Sequence, residues 1–212
     1  MNIHSLYGFF ARRFRPARMK MFRDRLEPGP TTRILDLGGT VAFWEGTDLA
    51  VTVLNLGPQP DEVPSGVTYV QGDATDVPFS DRAFDIVFSN SMIEHLHTRE
   101  RQEKVASEAL RVGTTVWVQT PNRWFPLEPH YLTPFIHWLP EGIRRRLVRN
   151  FTVWGWITRP TRERADAMVE EVRLLTIEEM RTLFPECEIE RERYLRMTKS
   201  LIAIGRAASE PG

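Results

Sequence analysis

Short apolar runs alternate with longer polar connections through the middle of the chain. The runs are four to six residues long, and the segments between them contain glycine, proline and charged residues. This pattern is typical of an α/β fold with a mainly parallel sheet. It predicts five strands: Arg33–Leu37, Ala50–Leu54, Val67–Val70, Phe84–Ser89 and Thr114–Gln119.

Two more strands are predicted near the C-terminus, at Glu186–Arg193 and Ser200–Ile204. Their separation by a few residues favours an antiparallel pair that closes one edge of the sheet. The sheet then has seven strands.

Two helices are predicted from their capping residues. The first covers Thr98–Arg111, with Thr98 as N-cap and with Arg101 facing Glu103 and Glu108. The second covers Thr176–Phe184 and begins with Thr-Ile-Glu-Glu, a capping-box pattern, before Pro185 ends it.

The composition narrows the class of protein. The chain has 212 residues, 42% of them hydrophobic and 26% charged, with a formal net charge of +0, so no global field favours nucleic acid or membrane. Cys187 is the only cysteine, which excludes an intrachain disulfide and a cysteine-built metal site, and we assign no metal. Residues 3–10 lack a basic n-region, and no apolar run reaches the roughly 20 residues of a membrane span. We therefore expect a cytoplasmic location.

Polar residues and glycines follow each predicted strand. In an open parallel sheet, ligands bind beyond the carboxyl ends of the strands, so these side chains are candidates for a common site. The glycine turn Gly38-Gly39 is the clearest case, because glycine lets the backbone bend tightly and approach a ligand. It lacks the Gly-x-Gly-x-x-Gly spacing of a dinucleotide site.

Four ordered blocks resemble the class I S-adenosylmethionine-dependent methyltransferases, in particular the type 11 small-molecule group. They are Ile34–Thr40, Gly72–Phe79, Phe84–Leu96 and Thr120–Asn122. The resemblance implies a Rossmann-like α/β fold: a seven-stranded, mostly parallel sheet with an antiparallel edge pair, helices on both faces, and a cap inserted after the fifth strand. It also implies S-adenosylmethionine as cofactor.

The resemblance implies roles for individual residues. Asp36 would accept a hydrogen bond from the cofactor's amino group, or else only stabilise the turn. Asp73 would accept from the adenine amino group beside the small Ala74, or else cap its loop. The implied cofactor-binding residues are Asp36, Gly38, Gly39, Thr40, Asn55, Leu56, Gly72, Asp73, Ala74, Ser89, Asn90 and Ser91.

Two features depart from the family pattern. Asn55 stands where the family places an acid that binds the ribose hydroxyls, and a neutral amide is the weaker acceptor. Only residues 41–49 separate the glycine turn from the next strand, so a short or distorted helix is predicted there. In it, Phe43 and Trp44 would either cover the cofactor or belong to the core.

The segment 121–165 is long, rich in proline and aromatic residues, and has no strand pattern. We interpret it as a cap that binds the acceptor, with a dimer interface or a satellite core as the alternative. The candidate substrate-binding residues are Asn122, Trp124, His130, Tyr131 and His137.

Methyl transfer needs little beyond alignment and exclusion of water, but an oxygen or nitrogen acceptor can require a base. His130 is the first candidate, and His95 is the second, with packing at a helix start as its alternative role.

The N-terminal segment, residues 1–30, interleaves basic and apolar residues, and Pro16 is expected to interrupt its helix. Packing across the cofactor mouth and peripheral contact with an anionic membrane surface are the two interpretations, and no nucleic-acid partner is expected. Residues 31–206 form the predicted methyltransferase domain and 207–212 a tail. We expect a monomer or homodimer.

Three functions fit the sequence. The first is methylation of a small organic or lipid-like acceptor, on oxygen, nitrogen or carbon. The second is an inactive S-adenosylmethionine-binding or structural relative, which Asn55 and the short helix favour. A nicotinamide-dependent oxidoreductase ranks last, because the glycine spacing does not fit.

Overall fold

The structure is a computed structural model of the chain. It describes residues 3–206, with side chains from residue 14 onward, so the predicted tail 207–212 lies outside the described residues. The chain forms two compact units. Among the described residues, the smaller unit contains residues 3–27 and Arg123–Val172, and the larger unit contains Pro28–Asn122 and residues 173–206.

The strands and helices are numbered in chain order. The strands are β1 (Arg33–Leu37), β2 (Ala50–Asn55), β3 (Val67–Gln71), β4 (Phe84–Asn90), β5 (Gly113–Pro121), β6 (Leu127–Glu128), β7 (Thr133–Pro134), β8 (Glu188–Tyr194) and β9 (Met197–Arg206). The helices are α1 (Ile3–Leu26), α2 (Arg99–Val112), α3 (Glu141–Phe151), α4 (Val153–Thr158), α5 (Arg162–Glu171) and α6 (Ile177–Leu183). Short 3-10 turns cover Val41–Trp44, Ile93–His95 and Ile136–Trp138.

The larger unit contains a seven-stranded sheet in the order β3-β2-β1-β4-β5-β9-β8. The pairs among β1 to β5 are parallel, and β9 runs antiparallel to both β5 and β8. This confirms the predicted seven-stranded, Rossmann-like sheet, and each observed strand end lies within three residues of its predicted position. The sequence pattern was sufficient for β1, β2, β4, β5 and β9 because these strands contain runs of buried, mostly apolar residues.

The two faces of this sheet differ in what covers them. Leu35, Leu37 and Val87 pack into one core cluster with residues of α2 and α6, such as Val105 and Met180. On the opposite face, the 3-10 turn Val41–Trp44 packs its aromatic rings against Phe88. The connection from β1 to β2 therefore holds a single short turn, as its length predicted.

Both predicted helices of the larger unit are present with their caps. The Thr98 hydroxyl accepts from the Arg101 amide, and Thr176 forms a capping box with Glu179. The predicted pairing of Arg101 within its own helix is wrong, because Arg101 binds Asp73 instead. Residues two apart lie on different sides of a helix, so Glu103 pairs with the residue four positions before it, Arg99.

The smaller unit has its own core, built from α3, α4, α5 and the segment before them. Its members include Tyr131, Val148, Trp154 and Val169. The strands β6 and β7 form a hairpin that the sequence did not indicate, since only two residue pairs join them and no period is visible over so short a length.

The helix α1 is continuous through Pro16, so the predicted interruption is wrong. A proline removes one backbone donor, and in a helix of 24 residues the remaining bonds continue on either side of it. Phe22 in its second half is fully buried, which anchors that half. Within residues 3–206, no helix is both long enough and apolar enough to cross a membrane.

Candidate functional site

The twelve predicted cofactor-binding residues all lie in the larger unit, at the carboxyl ends of four adjacent strands. These strands are β3, β2, β1 and β4. Parallel register aligns Leu37 with Leu54 and Asn55 with Gln71, so the residues that follow each strand meet at one edge. The structure thus brings together the residues that the sequence placed at a common site.

The turn after β1 requires glycine at two consecutive positions. Gly38 has a φ of +72°, and a Cβ there would lie 2.2 Å from Cγ of Met92. A Cβ on Gly39 would lie 1.8 Å from Oδ2 of Asp36. Any larger residue would displace the Asp36 carboxylate or the Met92 side chain, so the turn is closely packed on both sides.

Asp36 is a buried carboxylate, with an exposed fraction of 1%. The indole Nε1 of Trp44 donates a hydrogen bond to its Oδ2 at 2.7 Å. The Trp44 ring also packs edge-to-face on Phe88, with centroids 5.1 Å apart. Trp44 is therefore a core residue that stabilises the carboxylate, while Phe43 beside it is half-buried.

Asn55 is tied to the glycine turn. Its side-chain Nδ2 donates to the carbonyl oxygens of Gly39 at 2.8 Å and Gly38 at 3.3 Å. Its Oδ1 accepts from the backbone amide of Gly57 at 3.3 Å. An amide matches these three partners, two acceptors and one donor, whereas a carboxylate could bind only the donor.

Two side chains that the sequence did not single out hold the loop after β2. The Tyr69 hydroxyl donates to the Gly57 carbonyl at 2.5 Å, and Gln71 Nε2 donates to the Leu56 carbonyl at 3.1 Å. The side chain of Leu56 itself is exposed. The loop therefore has a defined backbone and presents an apolar side chain to solvent.

Asp73 combines a turn-capping role with an ion pair. Its Oδ1 accepts from the amide and the hydroxyl of Thr75, and its Oδ2 lies 3.2 Å from Arg101 Nη2. Burial acts to raise the pKa of Asp73, but these donors outweigh it and the net shift is downward. The side chain keeps an exposed fraction of 36%, so a ligand can still reach the carboxylate. Ala74 beside it is buried.

Two serines at the end of β4 and just after it are bonded to neighbouring strands. The buried Ser89 hydroxyl donates to the Leu37 carbonyl at 3.0 Å. Ser91 has a φ of +57°, and its hydroxyl donates to Gln119 Oε1 at 2.9 Å. Asn90 is half-buried between them, and Thr40 is exposed beyond β1.

His95 and Asn122 lie near the same edge of the larger unit. His95 ends the 3-10 turn Ile93–His95 and is half-buried. Its neighbour Glu94 is fully buried and accepts from the Thr120 hydroxyl at 3.0 Å. The Asn122 side chain donates to the Thr198 carbonyl at 2.9 Å, which ties the end of β5 to β9.

The smaller unit holds a carboxylate–histidine pair at His130. Its Nδ1 lies 2.6 Å from Oε1 of Glu128, and Glu128 is fully buried. The other Glu128 oxygen accepts from the Tyr131 amide at 2.6 Å. Because a carboxylate accepts, the His130 proton lies on Nδ1 and the lone pair of the neutral ring lies on Nε2. Sequence reasoning missed Glu128, although the Glu-Pro-His spacing was visible.

The other predicted substrate residues have different surroundings. Tyr131 lies in the core of the smaller unit, and its hydroxyl donates to the Met168 carbonyl. His137 Nε2 lies 2.9 Å from the Arg123 carbonyl, so Nε2 carries the proton. Desolvation lowers the pKa of His137, which favours the neutral ring. Trp124 is 60% exposed.

The part of the chain that forms this edge is similar to known methyltransferases. Residues 29–115 match the family model described as a methyltransferase domain. The rice protein 2-methyl-6-phytyl-1,4-hydroquinone methyltransferase 2 (Oryza sativa subsp. japonica) is 30% identical over 145 residues, which cover 53% of this chain and 41% of that protein. The chain spans less than half the length of the curated relatives that it matches.

Two solved structures share the fold. A SAM-dependent methyltransferase from Methanosarcina mazei superposes with a TM-score of 0.50 at 14% identity, over 84% of this chain and 93% of that one. A protein from Pyrococcus horikoshii OT3 gives a TM-score of 0.60 at 13% identity, over 95% of this chain and 91% of that one.

The first prediction concerns Asn55. Replacing it with Asp removes both bonds to the turn carbonyls and places a carboxylate against them, which should lower the free energy of unfolding by about 1–3 kcal/mol. Urea unfolding measures this change. Asn55→Ala serves as the control, because it removes the bonds without adding charge and should cost less. A variant Asn55→Asp as stable as the parent chain would show that the amide does not hold the turn.

The second prediction concerns the pH dependence due to Asp73. A carboxylate with a lowered pKa stabilises the fold above its ordinary range, and this stabilisation is lost as the pH falls through the folded-state pKa. Asp73→Asn should therefore be less stable than the parent chain at pH 7, and the difference should shrink below about pH 3. Asp76→Asn, exposed in the same loop, is the matched control. A difference for Asp73→Asn that does not vary with pH would contradict the ion pair with Arg101.

Proposed function

We propose that this chain, whose residues 29–115 match the methyltransferase-domain family, transfers a methyl group from S-adenosylmethionine to a small organic or lipid-like acceptor. The family and the fold together imply S-adenosylmethionine binding. The observation that supports this function best is the placement of the glycine turn and Asp73 at the same edge of the sheet, after β1 and β3, the two neighbours of β2.

The residues at this edge fit the cofactor chemically. Asp73 is an accessible carboxylate that can accept from an amino group, and the small Ala74 leaves room for a flat ring beside it. Asn55 keeps the turn in one conformation, so the backbone near Gly39 is ordered before a ligand arrives. The proposal gives Asn55 this positioning role in place of the family's ribose-binding acid.

The proposed chemical class of the methyl acceptor is based on the similarity to the rice methyltransferase. The name of that protein specifies a phytyl hydroquinone, a ring with a long apolar chain. We extend only the general chemistry, an organic acceptor with apolar character, to this chain. The aromatic residues of the smaller unit, including Trp124, are consistent with such a molecule.

His130 is the proposed general base. S-Adenosylmethionine supplies an activated methyl group, so the protein's remaining chemical task is to remove a proton from an O–H or N–H acceptor. Glu128 holds the Nδ1 proton of His130, which directs the basic lone pair to Nε2 and stabilises the imidazolium that forms. His130 would accept the acceptor's proton at Nε2. S-Adenosylmethionine, held by the glycine turn and Asp73, would supply the methyl group through cleavage of its methyl–sulfur bond and would leave as S-adenosylhomocysteine.

The third prediction is cofactor binding itself. Isothermal titration of the full chain with S-adenosylmethionine should give saturable heat, and the ligand should raise the Tm. NAD⁺ at the same concentration should do neither, because the glycine turn does not fit a dinucleotide. Binding of S-adenosylmethionine without methyl transfer to any phenolic or quinol acceptor would favour an inactive relative. Heat from NAD⁺ alone would instead favour an oxidoreductase.

The fourth prediction concerns the base. Once an acceptor is identified, His130→Ala should lower turnover by about 10²-fold or more while S-adenosylmethionine binding remains unchanged. Glu128→Gln should also lower turnover, since it weakens the orientation of the ring, and should shift the pH–rate profile. His97→Ala, an exposed histidine of the larger unit, is the matched control. Full turnover by His130→Ala would show that the reaction does not use this base.

A further inference from the structure

Three exposed aromatic rings form one surface on the smaller unit, which we call the aromatic surface: Trp124, Phe135 and Trp138. Their exposed fractions are 60%, 52% and 42%. The Trp138 centroid lies 5.1 Å from that of Phe135 and 6.3 Å from that of Trp124, so the rings are contiguous. Contiguous apolar surface of this kind commonly marks a binding surface, unlike single exposed rings.

The polar atom of the Trp138 side chain, its indole Nε1, already has a hydrogen-bond partner within the protein. Its indole Nε1 donates to the Arg123 carbonyl at 2.9 Å. Transfer of the ring into an apolar environment therefore leaves no unpaired donor, which removes the main cost of burying a tryptophan. The His137 ring, which bonds to the same carbonyl through Nε2, packs against Trp138 at 5.5 Å. The neighbouring polar groups thus hold the ring with its apolar face outward.

Phe135 adopts a backbone conformation that is unfavourable for its residue type. Its φ is 63° and its ψ is −6°, in the left-handed region that glycine prefers. Its amide donates to the Pro126 carbonyl at 2.7 Å, and its carbonyl accepts from Trp138. The structure holds a bulky, half-exposed aromatic ring at a position where glycine would fit more easily. Local backbone strain at an exposed aromatic residue is a recurring mark of function.

The aromatic surface is bordered by positive charge and further apolar residues. The Arg123 guanidinium lies 5.9 Å from the Trp124 centroid, and Arg144 is close enough to His137 to lower its pKa. Residues 123–146 contain four arginines and two acids. Glu128 is buried, and Arg145 is paired with Glu141 and Glu170, so the positive charge of this segment comes from Arg123, Arg144 and Arg146. Leu139 and Ile143, which follow Trp138 in the sequence, are also exposed, at 36% and 44%.

We propose that the aromatic surface docks the protein on the interface of an anionic lipid bilayer. Tryptophan and phenylalanine rings lie at the boundary between headgroups and acyl chains, and arginines beside them bind anionic headgroups. The positive charge favours a bilayer over an apolar protein groove, since Arg123 lies beside the Trp124 ring and Arg144 lies near His137, which packs on Trp138. The proposal goes beyond the methyl-transfer function, and it is tested without cofactor or acceptor.

The fifth prediction is the effect of Phe135→Gly on vesicle binding. The full chain should sediment with vesicles of phosphatidylglycerol and phosphatidylcholine and much less with phosphatidylcholine alone. Phe135→Gly should weaken binding to the anionic vesicles by about tenfold or more, because one anchor is lost. Its Tm should be unchanged or raised, since glycine accepts the left-handed backbone.

Leu195→Gly is a matched control in the larger unit. Leu195 is also exposed, at 73%, and also has a positive φ, of 48°, so the substitution makes the same backbone change. It should leave vesicle binding unaltered. The proposal would be overturned if the parent chain did not sediment with anionic vesicles, or if Phe135→Gly bound them equally well. It would also be overturned if the parent chain formed a dimer without vesicles and Phe135→Gly dissociated that dimer, because the surface would then bind a second copy of the chain.

Discussion

The buried carboxylate of Asp36 is the constraint on which the larger unit's ligand edge depends. A carboxylate removed from water must be bonded, and the Trp44 indole provides a bond from the turn that follows. Gly39 has to be glycine because a Cβ would overlap the same carboxylate. The burial of one acid thus constrains both the 3-10 turn after β1, through Trp44, and the residue type at position 39.

The other residues of this edge extend the same network across four strands. Asn55 joins the end of β2 to the turn after β1, and Ser89 joins β4 to the end of β1. Ser91 then links β4 to β5 through Gln119. Because these side chains bond to the scaffold, they position the edge, and the more accessible Asp73 is the acid that we propose to contact the ligand. Because the edge is ordered before a ligand binds, less conformational entropy is lost on binding.

Features determined locally could be predicted from the sequence, and features that depend on tertiary contacts could not. The buried strands, the Thr176 capping box and the short connection after the glycine turn follow from residues close in sequence. The direction of the Asn55 amide and the pairing of Arg101 with Asp73, 28 positions apart, depend on the folded sheet. Glu128 was missed because its burial is visible only in the fold of the smaller unit.

The central claim is that the carboxyl edge of β1 to β4 binds S-adenosylmethionine, and a nuclear magnetic resonance titration tests it most directly. In a ¹⁵N-labelled chain titrated with S-adenosylmethionine, the backbone amides of Gly38, Gly39, Asp73 and Ala74 should shift together and saturate at one ligand concentration. The amide of Gly142, in α3 of the smaller unit, serves as reference. Saturable shifts that leave these four amides unmoved, or no shifts at all, would contradict the account.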